Sequence, residues 1–192
     1  MSRISLKALT PAQRVAVLGI GIALYVVLSL VLQVPFFENY YLCLGYVVLA
    51  VYCYLYGSVA GAIVGTIGCL LHAMAINGLR GMPGWALGNL FIGLSLGSLF
   101  SLTLKHNQSA WRIALTTAGM VLITAIGILG IKSLTEVVLY GQPMWARVVK
   151  NSYAFVADCV VMVFAIPFCI ASEKLSRSMM KGSATGQRDR AE

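Results

Sequence analysis

Few side chains in this sequence could do chemistry, and those few stand inside apolar surroundings. Asp158 lies about a dozen residues into the run 147–171. Asn151 precedes it by seven residues, which on a helix puts both on one face with Phe155 between them. Lys132 is followed one helical turn later by Glu136, and Trp85 is followed at the same spacing by Asn89. A charge inside a membrane span costs about 2.5–3.5 kcal/mol on insertion scales, so it is retained where it faces a cavity or a partner. Two readings of Lys132 stand at this stage. It pairs with Glu136 along its own helix, or it aims with Asp158 at a ligand or at each other across helices. Trp85 reads either as an interfacial anchor or, with Asn89, as a stacking surface beside a hydrogen-bonding group. His72 reads as a hydrogen-bonded packing residue, or as a proton relay or ligand contact.

No catalytic constellation accompanies these residues. The two histidines, His72 and His106, fall in different segments, and the sequence has no HExxH, GxSxG or glycine-rich phosphate loop. Gly19-Ile20-Gly21 does not complete a dinucleotide fingerprint. The five cysteines, at 43, 53, 69, 159 and 169, sit in apolar runs without CxxC spacing, as small apolar fillers do. The expectation is a protein that is not an enzyme and holds no cofactor and no metal. If it moves a solute uphill, it must use an ion gradient or borrow an ATPase.

The elements that would position these residues follow from composition. Of 192 residues, 59% are hydrophobic and 10% charged, where an ordinary soluble domain is about 25% charged. The chain is read as an all-α integral membrane protein. With about 20 residues per span, no length remains for a kinase, nucleotidase or nucleic-acid-binding module. The net charge of +8 does not argue for nucleic acid, because the basic residues gather at the termini and in one short loop.

Apolar runs and their breakers predict six transmembrane helices in a single bundle over residues 1–180. The spans are about 13–33, 42–56, 59–77, 84–104, 110–139 and 147–171, with Pro35, Gly57-Ser58 and Asn77-Gly78 as breakers. The first run is longer than a signal-peptide core and lacks a small-x-small cleavage site, so it reads as a retained span. Residues 181–192 have almost nothing apolar to bury and are expected to form a disordered cytoplasmic tail. Ten basic residues (Arg3, Lys7, Arg14, Lys105, Arg112, Lys174, Arg177, Lys181, Arg188 and Arg190) fall on the side of the termini. Four (Arg80, Lys132, Arg147 and Lys150) fall on the other. That asymmetry predicts cytoplasmic N and C termini.

Glycines recur at helical spacing: Gly57, Gly61, Gly65 and Gly68, then Gly84 with Gly88, and Gly93 with Gly97. Such stripes let helix backbones approach closely, either inside the bundle or against another subunit. Ala16, Gly19 and Ala23 mark a small-residue face on the first span. Three loops, 34–41, 78–83 and 140–145, carry aromatic, glycine and proline residues on the side opposite the termini. Aromatic loops above polar intramembrane residues suit a lidded pocket for a flat organic solute, although membrane anchoring also explains Tyr140 and Trp145.

Several segments together resemble the substrate-binding (S) component of energy-coupling factor (ECF) vitamin transporters, closest to the riboflavin-type branch of small six-span proteins. Val17–Leu28 in span 1 is one. Tyr56-Gly57-Ser58-Val59-Ala60-Gly61-Ala62-Ile63-Val64-Gly65-Thr66-Ile67-Gly68 resembles that branch's FGPxxGxxxGxxG hairpin, with His72 following. Gly84-Trp85-Ala86-Leu87-Gly88-Asn89 resembles its tryptophan-containing entry to span 4, and Tyr140-Gly141-Gln142-Pro143 its YGEP-like turn. Ser58 stands in place of the branch's proline, and Gln142 in place of its acid. The resemblance implies a subunit that captures a vitamin from outside, riboflavin or a related flat heterocycle. It implies as partners a membrane coupling (T) subunit, docked through Ala16, Gly19 and Ala23, and two cytoplasmic ATPases. It implies substrate binding by Tyr40, Trp85, Asn89, Lys132, Asn151 and Asp158, in the cell membrane of a prokaryote. The alternative from the residues alone is a stand-alone ion-coupled carrier or channel built on Asp158.

Overall fold

The computed structural model describes residues 6, 9–31, 34–37, 40–77, 82–104 and 109–188. The first helix, α1 (Pro11–Val31), leads into a short antiparallel hairpin of β1 (Val34–Phe37) and β2 (Tyr40–Leu42). The helices α2 (Gly45–Tyr56), α3 (Ser58–Asn77) and α4 (Met82–Leu102) follow. Next comes one continuous helical stretch. It comprises α5 (Ala110–Ala125), a π-helical segment over Ile126–Lys132, and α6 (Ser133–Tyr140). The last helix, α7, spans Met144–Arg188.

Among the described residues, five helices are long and apolar enough to cross a membrane: Pro11–Val31, Ser58–Ile76, Pro83–Leu102, Ala110–Tyr140 and Met144–Leu175. The sixth apolar helix, α2, has 12 residues, about 18 Å at the α-helical rise, against a hydrocarbon core of about 30 Å. Leu42, expected inside span 2, pairs instead with Val34 in the hairpin, and the aromatic loop 34–41 supplies most of both strands. The physical reason lies in what surrounds α2. Tyr46, Val48, Leu49, Ala50, Tyr52, Cys53 and Tyr54 are all buried in protein, so this helix meets other helices rather than lipid along its length. At the other end of the chain, α7 continues as helix to Arg188, through residues where composition predicts an unfolded tail.

Consecutive helices run antiparallel, and the glycine stripes set how closely they approach. Gly61 faces Cys53 and Gly65 faces Leu49 across the α2–α3 contact, with no room for a Cβ, while Gly68 lies against the Tyr25 ring of α1. On α4 the two stripes serve different neighbours. Gly93 and Gly97 lie against the α3 backbone at Ala62 and Ser58. Gly84 and Gly88 lie against the backbone oxygens of Lys132 and Gly127 in the π-helical segment. These stripes therefore pack inside the bundle. The turn between α2 and α3 holds Gly57 at φ 96°, and α6 ends on Gly141 at φ 64°, a conformation other residues rarely adopt. Ser58, the departure from the branch's proline, opens α3 and places its hydroxyl 3.3 Å from that of Ser98 on α4.

The hairpin, the start of α4 and the Gly141–Pro143 turn share one end of the bundle, here the hairpin end. The start of α1, Gly57 and the start of α5 share the other. Large buried side chains, among them Tyr25, Tyr46, Leu49, Ile92 and Met120, fill the space between.

Candidate functional site

Four elements bring polar side chains together in the half of the bundle nearer the hairpin: the first turn of α2, the first two turns of α4, the π-helical segment and the first half of α7. A π-helical turn carries one more residue than an α-turn, and such bulges are frequent at functional sites. Here it ends at Lys132, which is 6% exposed. Its ammonium lies 4.5 Å from the centroid of the Trp85 ring, a cation–π contact strengthened by desolvation.

Trp85 is half-buried and donates its Nε1–H to the Tyr46 hydroxyl at 2.9 Å. Tyr46 in turn donates to Asn89 Oδ1 at 2.8 Å. The Asn89 Nδ2 donates to the Tyr25 hydroxyl at 3.2 Å and to the Gly65 carbonyl at 3.3 Å. Tyr25, Tyr46 and Asn89 are fully enclosed, so each polar atom must find a partner within the protein. Asp158, 2% exposed, faces the same cluster from α7 and interacts with Lys132 and with the Tyr46 hydroxyl. Among the described residues no ion pair joins it to Lys132, and its Oδ2 has no hydrogen-bond partner.

A second network lies between α6 and α7, closer to the turn. Asn151 Nδ2 donates to Ser133 Oγ at 2.9 Å and to Glu136 Oε2 at 3.1 Å. Arg147 pairs with that same Glu136 oxygen at 3.4 Å and stacks its guanidinium over Tyr140 at 5.6 Å. The Glu136 carboxylate is thus held by α7. The along-helix reading of Lys132 gives way to its contact with Trp85.

Of the residues singled out from the sequence, Trp85, Asn89, Lys132 and Asp158 come together. Asn151 stands next to them through Ser133, the neighbour of Lys132. Tyr40 belongs to β2, which packs beside α7, and its side chain lies outside the described residues. Ala16, Gly19 and Ala23 lie exposed on α1, and a side chain at Gly19 would meet nothing within 4 Å. His72 is half-buried, and its Nδ1 has no partner among the described residues. Tyr46, Tyr25 and Arg147 were not marked by the sequence as site residues. Their signal was weak: a buried tyrosine needs a partner for its hydroxyl, but Tyr46 is one of four tyrosines between positions 46 and 56.

Among the described residues no group of three His, Cys, Asp or Glu side chains could hold a metal ion. The cluster offers one half-buried aromatic face, one buried cation and one buried carboxylate oxygen.

Comparison with known proteins adds two findings. UPF0397 proteins of Lactococcus lactis subsp. cremoris strains NZ9000 and MG1363 are each 39% identical to this chain over 82 residues. The match covers 41% of this chain and 43% of theirs. The chain thus spans less than half the length of these curated relatives. The model of the family described as ECF-type riboflavin transporter, S component, matches residues 10–174. That match takes in every described helix from α1 into α7, and with them the whole polar cluster; this chain belongs to the family of ECF-type riboflavin transporter S components.

Proposed function

We propose that this protein is the substrate-capture subunit of an ECF-type vitamin uptake transporter, with riboflavin or a related flat heterocycle as its ligand. The observation that carries the reading is the arrangement of Trp85, Lys132 and Asp158. It sets a half-buried indole face beside a buried pair of opposite charges, near the hairpin end. A planar ring suits the indole, and the buried polar groups reward a ligand that hydrogen-bonds to them. Asn151 and Tyr40 flank this cluster in the proposal, Asn151 acting through Ser133. The hairpin end faces the outside and both termini face the cytoplasm, as the distribution of Lys and Arg favours. A membrane coupling subunit and two cytoplasmic ATPases supply the motor, and the coupling subunit docks on the exposed Ala16, Gly19 and Ala23 of α1.

The test is a spectrum and mass analysis of the small molecules released from the detergent-purified protein after expression in rich medium. A flavin near one-to-one stoichiometry is the expected result. A different vitamin-like compound would discard riboflavin and keep the capture role. The buried carboxylate of Asp158 favours one rival, a stand-alone ion-coupled carrier. That rival requires uptake by the chain without ATPase partners, abolished by an uncoupler.

Sidedness has its own expected result. Gln142 is exposed in the turn before α7, and Ser109 is exposed at the start of α5. In intact cells, Gln142→Cys should react with a membrane-impermeant maleimide and Ser109→Cys should not. Four of the five native cysteines, Cys43, Cys53, Cys69 and Cys169, are buried, and the partly exposed Cys159 is replaced by alanine in both variants to remove its background. The reverse labelling pattern would invert the topology.

A further inference from the structure

The first helix has two faces with opposite surroundings. Its buried residues are Gly21, Tyr25 and Ser29, spaced one turn apart, while Ala16, Gly19 and Ala23 are exposed. It is also the least buried of the five long helices. A helix gripped along so narrow a stripe takes its orientation from few contacts.

Those contacts differ in what they reach. Gly21 lies against the Tyr52 ring of α2, whose hydroxyl donates to the Val17 carbonyl at 2.9 Å. Ser29 places its hydroxyl 3.2 Å from the Cys43 thiol, just after β2. Between them, the Tyr25 ring fills a socket left open by Gly45 of α2 and Gly68 of α3, and its hydroxyl accepts from Asn89 Nδ2 at 3.2 Å. Tyr52 and Ser29 thus tie α1 to the scaffold, whereas Tyr25 ties it to the polar cluster. Asn89 is the junction there: standing on α4, it accepts from Tyr46 of α2 and donates to the Gly65 carbonyl of α3 and to Tyr25 of α1. Trp85, one turn away on α4, is held by the same Tyr46 hydroxyl. A ligand that settles on Trp85 therefore restrains Asn89, and through it Tyr25. Gly19 is six residues from Tyr25, about 9 Å along the helix axis.

We infer that Tyr25 is a positioning residue: through its hydrogen bond with Asn89, an occupied pocket fixes the orientation of α1 and so readies the docking face on the helix's other side. The physical basis is ordering. A ligand that immobilises Trp85, Asn89 and Tyr25 has already restricted α1, so a partner arriving at Ala16, Gly19 and Ala23 has less left to restrict, and the two binding events favour each other. Filled subunits then dock in preference to empty ones. This inference rests on the capture and docking readings above and adds the regulation that links them.

The test variant is Tyr25→Phe, which keeps the ring in its socket and removes the hydroxyl. Amide hydrogen exchange of the full chain in detergent is followed without riboflavin and at saturating riboflavin. In the wild type, riboflavin should slow exchange over residues 17–29 by about threefold or more. In Tyr25→Phe that ratio should fall to near one, although exchange in α4 still slows with the ligand. Tyr52→Phe is the control for a merely structural grip. It should speed exchange in α1 equally with and without riboflavin and leave the ratio intact. Co-purification of the coupling subunit and ATPases should rise with riboflavin for the wild type and become independent of it for Tyr25→Phe.

Exchange in α1 that ignores bound riboflavin in the wild type would overturn the inference and leave the capture reading standing. So would a ratio retained in full in Tyr25→Phe, or wild-type co-purification that riboflavin does not change. A Tyr25→Phe protein that riboflavin cannot saturate would put the hydroxyl in the pocket itself, which also overturns it. If the wild type binds no riboflavin, the flavin reading fails and this inference fails with it.

Discussion

Replacing Gly19 by leucine should leave ligand binding and folding unchanged and reduce transport by the assembled complex to background. The position is exposed on α1, and an added Cβ meets nothing within 4 Å, so the substitution has no steric cost within this chain. Ala12, Ala16 and Ala23 are exposed as well, and Gly19 and Ala23 are one helical turn apart. Close approach of a partner helix depends on such small residues, because lipid offers no hydrophobic drive for association. A leucine in the middle of that face holds the partner's backbone off. The measurement is made in two parts: ligand titration of the purified subunit, and co-purification of the coupling subunit with uptake in cells. Normal uptake by Gly19→Leu would remove this face from the docking surface. Lost ligand binding would mean that Gly19 matters within the chain.

Gly93→Val should produce the opposite pattern, a subunit that fails to accumulate as a monodisperse protein. A Cβ at Gly93 would lie 2.5 Å from both the Cα and the nitrogen of Ala62, and 2.8 Å from the carbonyl carbon of Gly61. Those are backbone atoms of α3, so no rotamer change relieves the clash and the helices must separate. The Cys53 thiol, which donates to the Gly93 carbonyl at 3.3 Å, would lose its partner in the same movement. Overpacking of this kind costs about 1–3 kcal/mol and more where neighbours cannot yield. Because α3 also carries the Gly65 carbonyl that orients Asn89, ligand affinity should fall with stability. Gly130→Ala is the control, since a Cβ there meets nothing within 4 Å. Size-exclusion profiles and thermal unfolding of the two variants decide the matter. Wild-type behaviour of Gly93→Val would mean that α3 and α4 are not in such close contact.

The contrast between these two glycines shows where sequence reading stops. Both sit in small-residue stripes at helical spacing, and spacing alone says that a stripe can pack without saying against what. The same holds for the polar residues. The i, i+4 spacing of Lys132 and Glu136 suggested a local pair. In the fold Arg147 and Asn151 of α7 hold Glu136, and Lys132 turns to Trp85 on α4. The π-helical segment that changes the register just before Lys132 leaves no mark in hydrophobic periodicity, because its residues are apolar throughout except for Lys132. Tyr46 stayed hidden for a related reason: its role comes from partners 39 and 43 residues away.

Composition and hydropathy were enough to establish a helical membrane protein, because the energy of placing a segment in lipid is a sum over its own residues. The motif set pointed to its family for the same reason, since turn glycines and helix-entry aromatics are local features. The identity of the costly residues, Asp158 and Lys132 above all, could also be read, as a buried charge stands out against apolar neighbours. Tertiary structure alone decided the length of α2, which depends on what surrounds it. It alone decided which glycine stripe meets which helix, and which donors reach Asp158. Contacts between helices depend on the rotation of each about its axis. That rotation is set jointly by all the neighbours, and no single segment carries it.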